Sequence, residues 1–127
     1  MTPFSVVLGE LRRSRGLRQT QLGQSIGVEP CYISSMENGH KGPASTPVLN
    51  KIVYALSLSD VEAASLLASA EISKPLRRIP RQANVREYEL VHALWQRLGT
   101  LSDEQVQLML LALKMTEKPT EKEGISK

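Results

Sequence analysis

Apolar residues recur along most of the chain at helical spacing, and glycine, proline and capping residues fall between the stripes. Phe4, Val7, Leu8 and Leu11 obey the i, i+3, i+4, i+7 rule, with Thr2 as cap, Pro3 in the first helical position and Gly16 as the stop. Leu22 and Ile26 form a second, short stripe that Gly27 ends, where a residue at positive φ is needed. Val28 follows as an apolar plug. Pro30 opens a third helix, whose Ile33 and Met36 face inward while Cys31, Tyr32, Ser34 and Ser35 are left on the outer face. After the Gly39–Pro43 loop, Ser45 or Thr46 caps a fourth helix with Val48, Leu49, Ile52, Val53, Ala55 and Leu56 inside. Ser59 and Glu62 form the capping box of a fifth, filled by Val61, Leu66, Leu67 and Ala70.

The period breaks at residues 72–83, ISKPLRRIPRQA, where two prolines and the cations Lys74, Arg77, Arg78 and Arg81 mark a linker, read as a solvated tether or a basic strap. It resumes with Val85, Tyr88, Val91, Leu94, Trp95 and Leu98 on one face. Gly99-Thr100 then turns the chain. A last helix capped by Ser102 with Gln105 carries Val106, Met109, Leu110 and Leu113. The expected organisation is a five-helix unit at 1–71, the linker at 72–83, a helical hairpin at 84–117 and a disordered polar tail at 118–127.

Composition narrows the picture. Aliphatic residues dominate the 41% apolar content and aromatics are only 4%, which favours helical packing over a β sandwich. The net charge of +3 is modest, but it is unevenly spread. Residues 1–83 carry ten Lys/Arg against six Asp/Glu, and residues 84–127 carry six against seven. The cationic character thus belongs to the first half. One cysteine cannot support an intrachain disulfide and fits a reducing compartment. With no membrane-length apolar run and no signal peptide, a soluble, cytoplasmic protein is expected.

Helix, glycine turn, helix with a small polar outer face is the helix-turn-helix pattern. The segment GLRQTQLGQSIGVEPCYISSMENG resembles the helix-turn-helix of the Xre family, the lambda-repressor-like (Cro-like) DNA-binding domains. Leu17, Gln19, Leu22, Gly27, Val28, Ile33, Ser34, Glu37, Asn38 and Gly39 carry the likeness, which runs from near Phe4 to about Ala70. It implies an all-α fold, a five-helix lambda-repressor-like domain followed here by the two-helix hairpin. It also implies that the second motif helix enters the major groove of double-stranded DNA.

Carried over position by position, the resemblance puts Gln19 at the DNA backbone and Pro30, Cys31 and Ser35 at base-facing positions. Tyr32 and Ser34 stand beside them. Asn38, His40 and Lys41 match a second backbone clamp, and Arg12 and Glu37 a structural ion pair. Arg18 and Glu29 replace the hydroxyl caps frequent in the family; Arg18 can reach a phosphate, whereas Glu29 repels one. Pro30 and Cys31 replace longer side chains that read bases, which shifts specificity towards DNA shape. Arg12, Arg13 and Arg15 crowd the end of the first helix, as solvated surface or as phosphate contacts.

No catalytic or metal-ligating constellation accompanies this. His40 and His92 have no ligands at metal spacing, Ser34 and Ser35 lack a nucleophile motif, and Cys31 reads as a small contact residue rather than a redox switch. No enzyme activity and no cofactor are expected. The expected function is that of a sequence-specific transcriptional regulator, a repressor bound to a two-fold operator as a homodimer. The alternative is an antitoxin or adaptor whose hairpin grips a partner protein. Dimerisation is assigned to Tyr88, Val91, Leu94, Trp95, Leu98, Val106, Met109, Leu110 and Leu113, too many apolar residues for a lone hairpin to cover; packing back on the five-helix core is the alternative cover for some of them.

Overall fold

A computed structural model describes residues 1–75 and 78–115; Leu76, Arg77 and the segment 116–127, which includes the expected tail, lie outside the described residues. All regular structure among the described residues is helical: α1 Pro3–Ser14, α2 Gln19–Ile26, α3 Pro30–Asn38, α4 Thr46–Ala55, α5 Asp60–Ile72, α6 Val85–Arg97 and α7 Asp103–Met115. None of these helices is long and apolar enough to cross a membrane. The chain divides into two compact units, Met1–Arg77 and Arg78–Lys127.

In the first unit α1 packs against α5 and α3, and α2 packs against α3 and α4. The core is a single cluster in which Phe4, Leu8, Leu22, Ile33, Met36, Ile52, Leu56 and Leu66 are fully enclosed. Local chemistry sets the helix ends. Thr2 and Ser5 cap α1 reciprocally, as do Ser59 and Glu62 for α5. Gly16, Gly27 and Gly39 take positive φ just beyond α1, α2 and α3. Ser57 adopts the same left-handed conformation after α4, the one non-glycine residue to do so among those described.

The structure corrects three expectations here. Val61 is 79% exposed and Leu67 43% exposed, because α5 meets α1 along a narrow stripe of Leu66, Ser69 and Ala70. The domain also reaches past residue 71: α5 continues through Ile72, and Ser73 Oγ accepts a 2.9 Å hydrogen bond from the Phe4 N–H. That bond satisfies a first-turn donor of α1 and joins the two ends of the unit. Finally, Arg15 is neither solvated surface nor free for a phosphate. Its guanidinium donates to the Leu56 and Ser57 carbonyls at the end of α4 and to both oxygens of Glu62.

The second unit is a hairpin of α6 and α7, capped by Asn84 with Glu87 and by Ser102 with Gln105. Neither helix has a fully buried residue. An open groove lies between them, lined by Leu90, Leu94, Leu101, Leu108 and Met109. Trp95 is 69% exposed, and Tyr88, Val91, Leu98, Val106, Leu110 and Leu113 are exposed as well.

Candidate nucleic-acid interface

The turn between α2 and α3 is tighter than its glycine at position 27 alone accounts for. Gly27 N–H and Val28 N–H both return to the Gly23 carbonyl, the latter at 2.9 Å. A Cβ on Gly23 would stand 2.8 Å from the Val28 carbonyl oxygen. Gly23 therefore sets how closely α2 approaches the turn, and with it the pitch of α3. Its only sequence signal is a glycine inside a helical stripe, a position where glycine is otherwise costly.

At its far end α3 is held by Glu37, 7% exposed and bonded to two other helices. Arg12 Nε donates to Glu37 Oε2 at 2.6 Å and Arg12 Nη2 to Oε1 at 3.0 Å, a bidentate pair. Arg12 Nη1 also holds the Leu17 carbonyl at 2.7 Å. Gln19 Nε2 donates to Glu37 Oε1 at 3.1 Å. One carboxylate thus ties α1 and the start of α2 to the end of α3. The Glu37 hydrogen bond holds the Arg12 guanidinium above its usual pKa, so the cation is permanent. Because a carboxylate only accepts, it also orients the Gln19 amide nitrogen inward and leaves that side chain further hydrogen-bonding capacity.

The outer side of α3 is less open than its spacing implied. Pro30, Cys31 and Asn38 are exposed, but Tyr32, Ser34 and Ser35 are half-buried. Tyr32 packs against the core cluster, and Lys41 Nζ lies 6.0 Å from its ring centroid. Asn38 Nδ2 approaches Ser34 Oγ at 3.4 Å. The Ser35 carbonyl accepts from the His40 and Lys41 N–H groups, which folds the loop back onto the end of α3. His40 and Lys41 themselves are exposed. Arg18, also exposed, precedes α2; its N–H donates to Gln21 Oε1 at 2.7 Å, the reciprocal half of a capping box, while its own side chain caps no N–H of α2. Glu29 makes no capping hydrogen bond.

Gln19, Asn38, Arg12 and Glu37 line one concavity together with Arg13. The surface so built combines short side chains on α3 with amides and cations around it. That arrangement suits contact with base edges and phosphates. Among the described residues no group of three His, Cys, Asp or Glu is placed to hold a metal ion.

Residues 3–66 match the profile of a family described as a helix-turn-helix domain. Over 106 residues the chain is 30% identical to an uncharacterized HTH-type transcriptional regulator, RghRB, of Bacillus subtilis (strain 168), covering 84% of this chain and 73% of that protein. A solved structure titled as a SinR protein/SinI protein complex aligns at a TM-score of 0.46 and 19% identity, over 90% of this chain and 97% of that one.

Proposed function

The chain belongs to the helix-turn-helix domain family and is a DNA-binding transcriptional regulator, and from that premise we propose that it represses transcription by occupying a two-fold operator as a homodimer. α3 is the reading helix. Pro30, Cys31 and Ser35 meet base edges in the major groove, and Tyr32 and Ser34 stand beside them. Arg18, Gln19, Asn38, His40 and Lys41 hold the phosphates on either side. Arg12 and Glu37 keep α3 at a fixed angle to α1 without touching DNA themselves.

The observation that carries this reading is the exposed N-terminal turn of α3, with Cys31 open to solvent and the Gln19–Glu37–Arg12 bonds immobilising the helix behind it. Short side chains there form few hydrogen bonds to bases, so the deformability of the duplex supplies much of the discrimination. The antitoxin or adaptor alternative is not favoured: the relative matching most of the chain is named as a transcriptional regulator.

The dimer is assigned to the hairpin. Tyr88, Val91, Leu94, Trp95, Val106, Met109, Leu110 and Leu113 lie on two helices with no fully buried residue, Leu98 caps the end of the first, and pairing with a second hairpin would cover them in a four-helix arrangement. Two reading helices would then engage half-sites about 34 Å apart.

The test is selection of duplexes from a random pool, followed by titration of the selected sequence with the wild type and Cys31→Glu. Cys31 is exposed, which makes it a cleaner position for an added charge than the half-buried Ser35. Binding to the selected duplex should be lost in the variant with its helical content unchanged. A folded Cys31→Glu protein that binds with wild-type affinity removes α3 from the interface.

A further inference from the structure

Three arginines end α1 or follow it, and the structure separates them. Arg12 is committed to Glu37 and the Leu17 carbonyl. Arg15 is committed to Glu62 and the end of α4. Arg13 has no ion pair among the described residues. Its guanidinium folds back one turn along α1 and covers Gly9, with Nη1 only 3.0 Å from where a Cβ on that glycine would stand. A side chain at position 9 would take up the space the guanidinium occupies. In this pose Arg13 lines the same concavity, of about 350 Å³, as Gln19 and Asn38. The carboxylate in that wall, Glu37, is already bonded by Arg12, which offsets its repulsion of an anion.

We propose that Arg13 is a DNA-binding residue that grips a backbone phosphodiester of double-stranded DNA in the cleft between α1, the start of α2 and the end of α3. This rests on the DNA-binding reading above and adds to it a contact made by α1. The cleft has room for a phosphodiester group and the water that accompanies such contacts. It offers that group a planar, permanently charged fork beside two side-chain amides, a donor set suited to phosphate oxygens. Because a phosphate contact carries no base information, Arg13 adds affinity without selectivity and fixes the register in which α3 sits.

The experiment is a salt titration of full-length protein on a duplex selected from a random pool and on a scrambled duplex of equal length. It compares the wild type with Arg13→Ala, Arg13→Gln, Arg13→Lys and, as a charge-matched control, Arg86→Ala in the hairpin unit. Each phosphate contact contributes about 0.9 to the slope of log K against log salt. Arg13→Ala and Arg13→Gln should bind both duplexes more weakly and lose about that much slope. Arg13→Lys should retain the slope, and Arg86→Ala should match the wild type. An unchanged slope in folded Arg13→Ala and Arg13→Gln overturns the assignment, leaving DNA binding itself intact. Equal losses in Arg13→Ala and Arg86→Ala also overturn it, since net charge would then be the cause. A wild-type protein that selects no duplex overturns both this inference and the function on which it rests.

Discussion

Arg15 and Glu62 are joined across 47 positions of sequence, Nη2 to Oε1 at 2.6 Å, with Nη1 reaching Oε2 at 3.0 Å. The pair locks the end of α1 to the first turn of α5, at the corner where Arg15 also closes α4. Glu62 simultaneously accepts from the Ser59 N–H, so one carboxylate completes both a helix cap and an interhelical tie.

This arrangement makes stability depend on acidity. The Arg15 hydrogen bonds, with the Ser59 backbone bond second, lower the Glu62 pKa from 4.5 to about 2. A folded-state pKa below the unfolded one means that the unfolded chain binds the proton first as pH falls. The stabilisation is complete above the unfolded value and is lost as pH drops through the folded one. Chemical denaturation from pH 6 down to 2 should show wild type and Glu62→Gln differing most at the upper end and converging at the lower. A constant difference across that range would mean that the pair does not couple to folding.

The Arg12–Glu37 pair is more enclosed, its side chains 11% and 7% exposed. Arg12→Met should destabilise the first unit by about 3 kcal/mol, because it strands a carboxylate out of water. Combining it with Glu37→Leu should recover a large part of that loss, since an apolar pair of similar volume needs no solvation. Urea unfolding of the two single variants and the double one measures the coupling. Additive losses would contradict a direct interaction.

Gly23 provides a steric test. A branched side chain there must displace the backbone carbonyl of Val28, so Gly23→Val should cost about 3 kcal/mol and shift α3. Operator affinity should fall even at temperatures where the protein remains folded. A variant as stable as the wild type would show that the turn can open at no cost.

The hairpin prediction concerns association. Burying Trp95 and its apolar neighbours against a second hairpin favours the dimer by roughly 1.5–3 kcal/mol per large side chain before the entropic cost. Trp95→Glu should sediment as a monomer at micromolar concentration, retain the fold of the first unit and bind the two-fold operator far more weakly. A dimer that survives the substitution would place the interface elsewhere.

Local order was legible in the sequence, because helix periodicity and capping are properties of neighbouring residues. The apolar stripes of α1 to α4, the Ser59–Glu62 and Ser102–Gln105 caps and the glycine turns all stand where the pattern put them. The linker, by contrast, rests on composition and a break in the period, and neither shows that the Ser73 hydroxyl bonds a residue 69 positions away.

What only the tertiary structure decided were the relations between helices. Spacing along α3 places Tyr32, Ser34 and Ser35 outside, but a nine-residue helix wedged among α1 and α2 leaves so little free surface that all three are half-covered. Three nearby arginines look alike in sequence; their fates diverge because Glu37 and Glu62, distant in the chain, come within reach of two of them and not the third. Likewise Gly23 is indistinguishable from a chance helical glycine until the turn folds back and puts a carbonyl where its side chain would be. Charge pairing and close approach depend on distance in space, and distance in space between remote residues exists only once the core has closed.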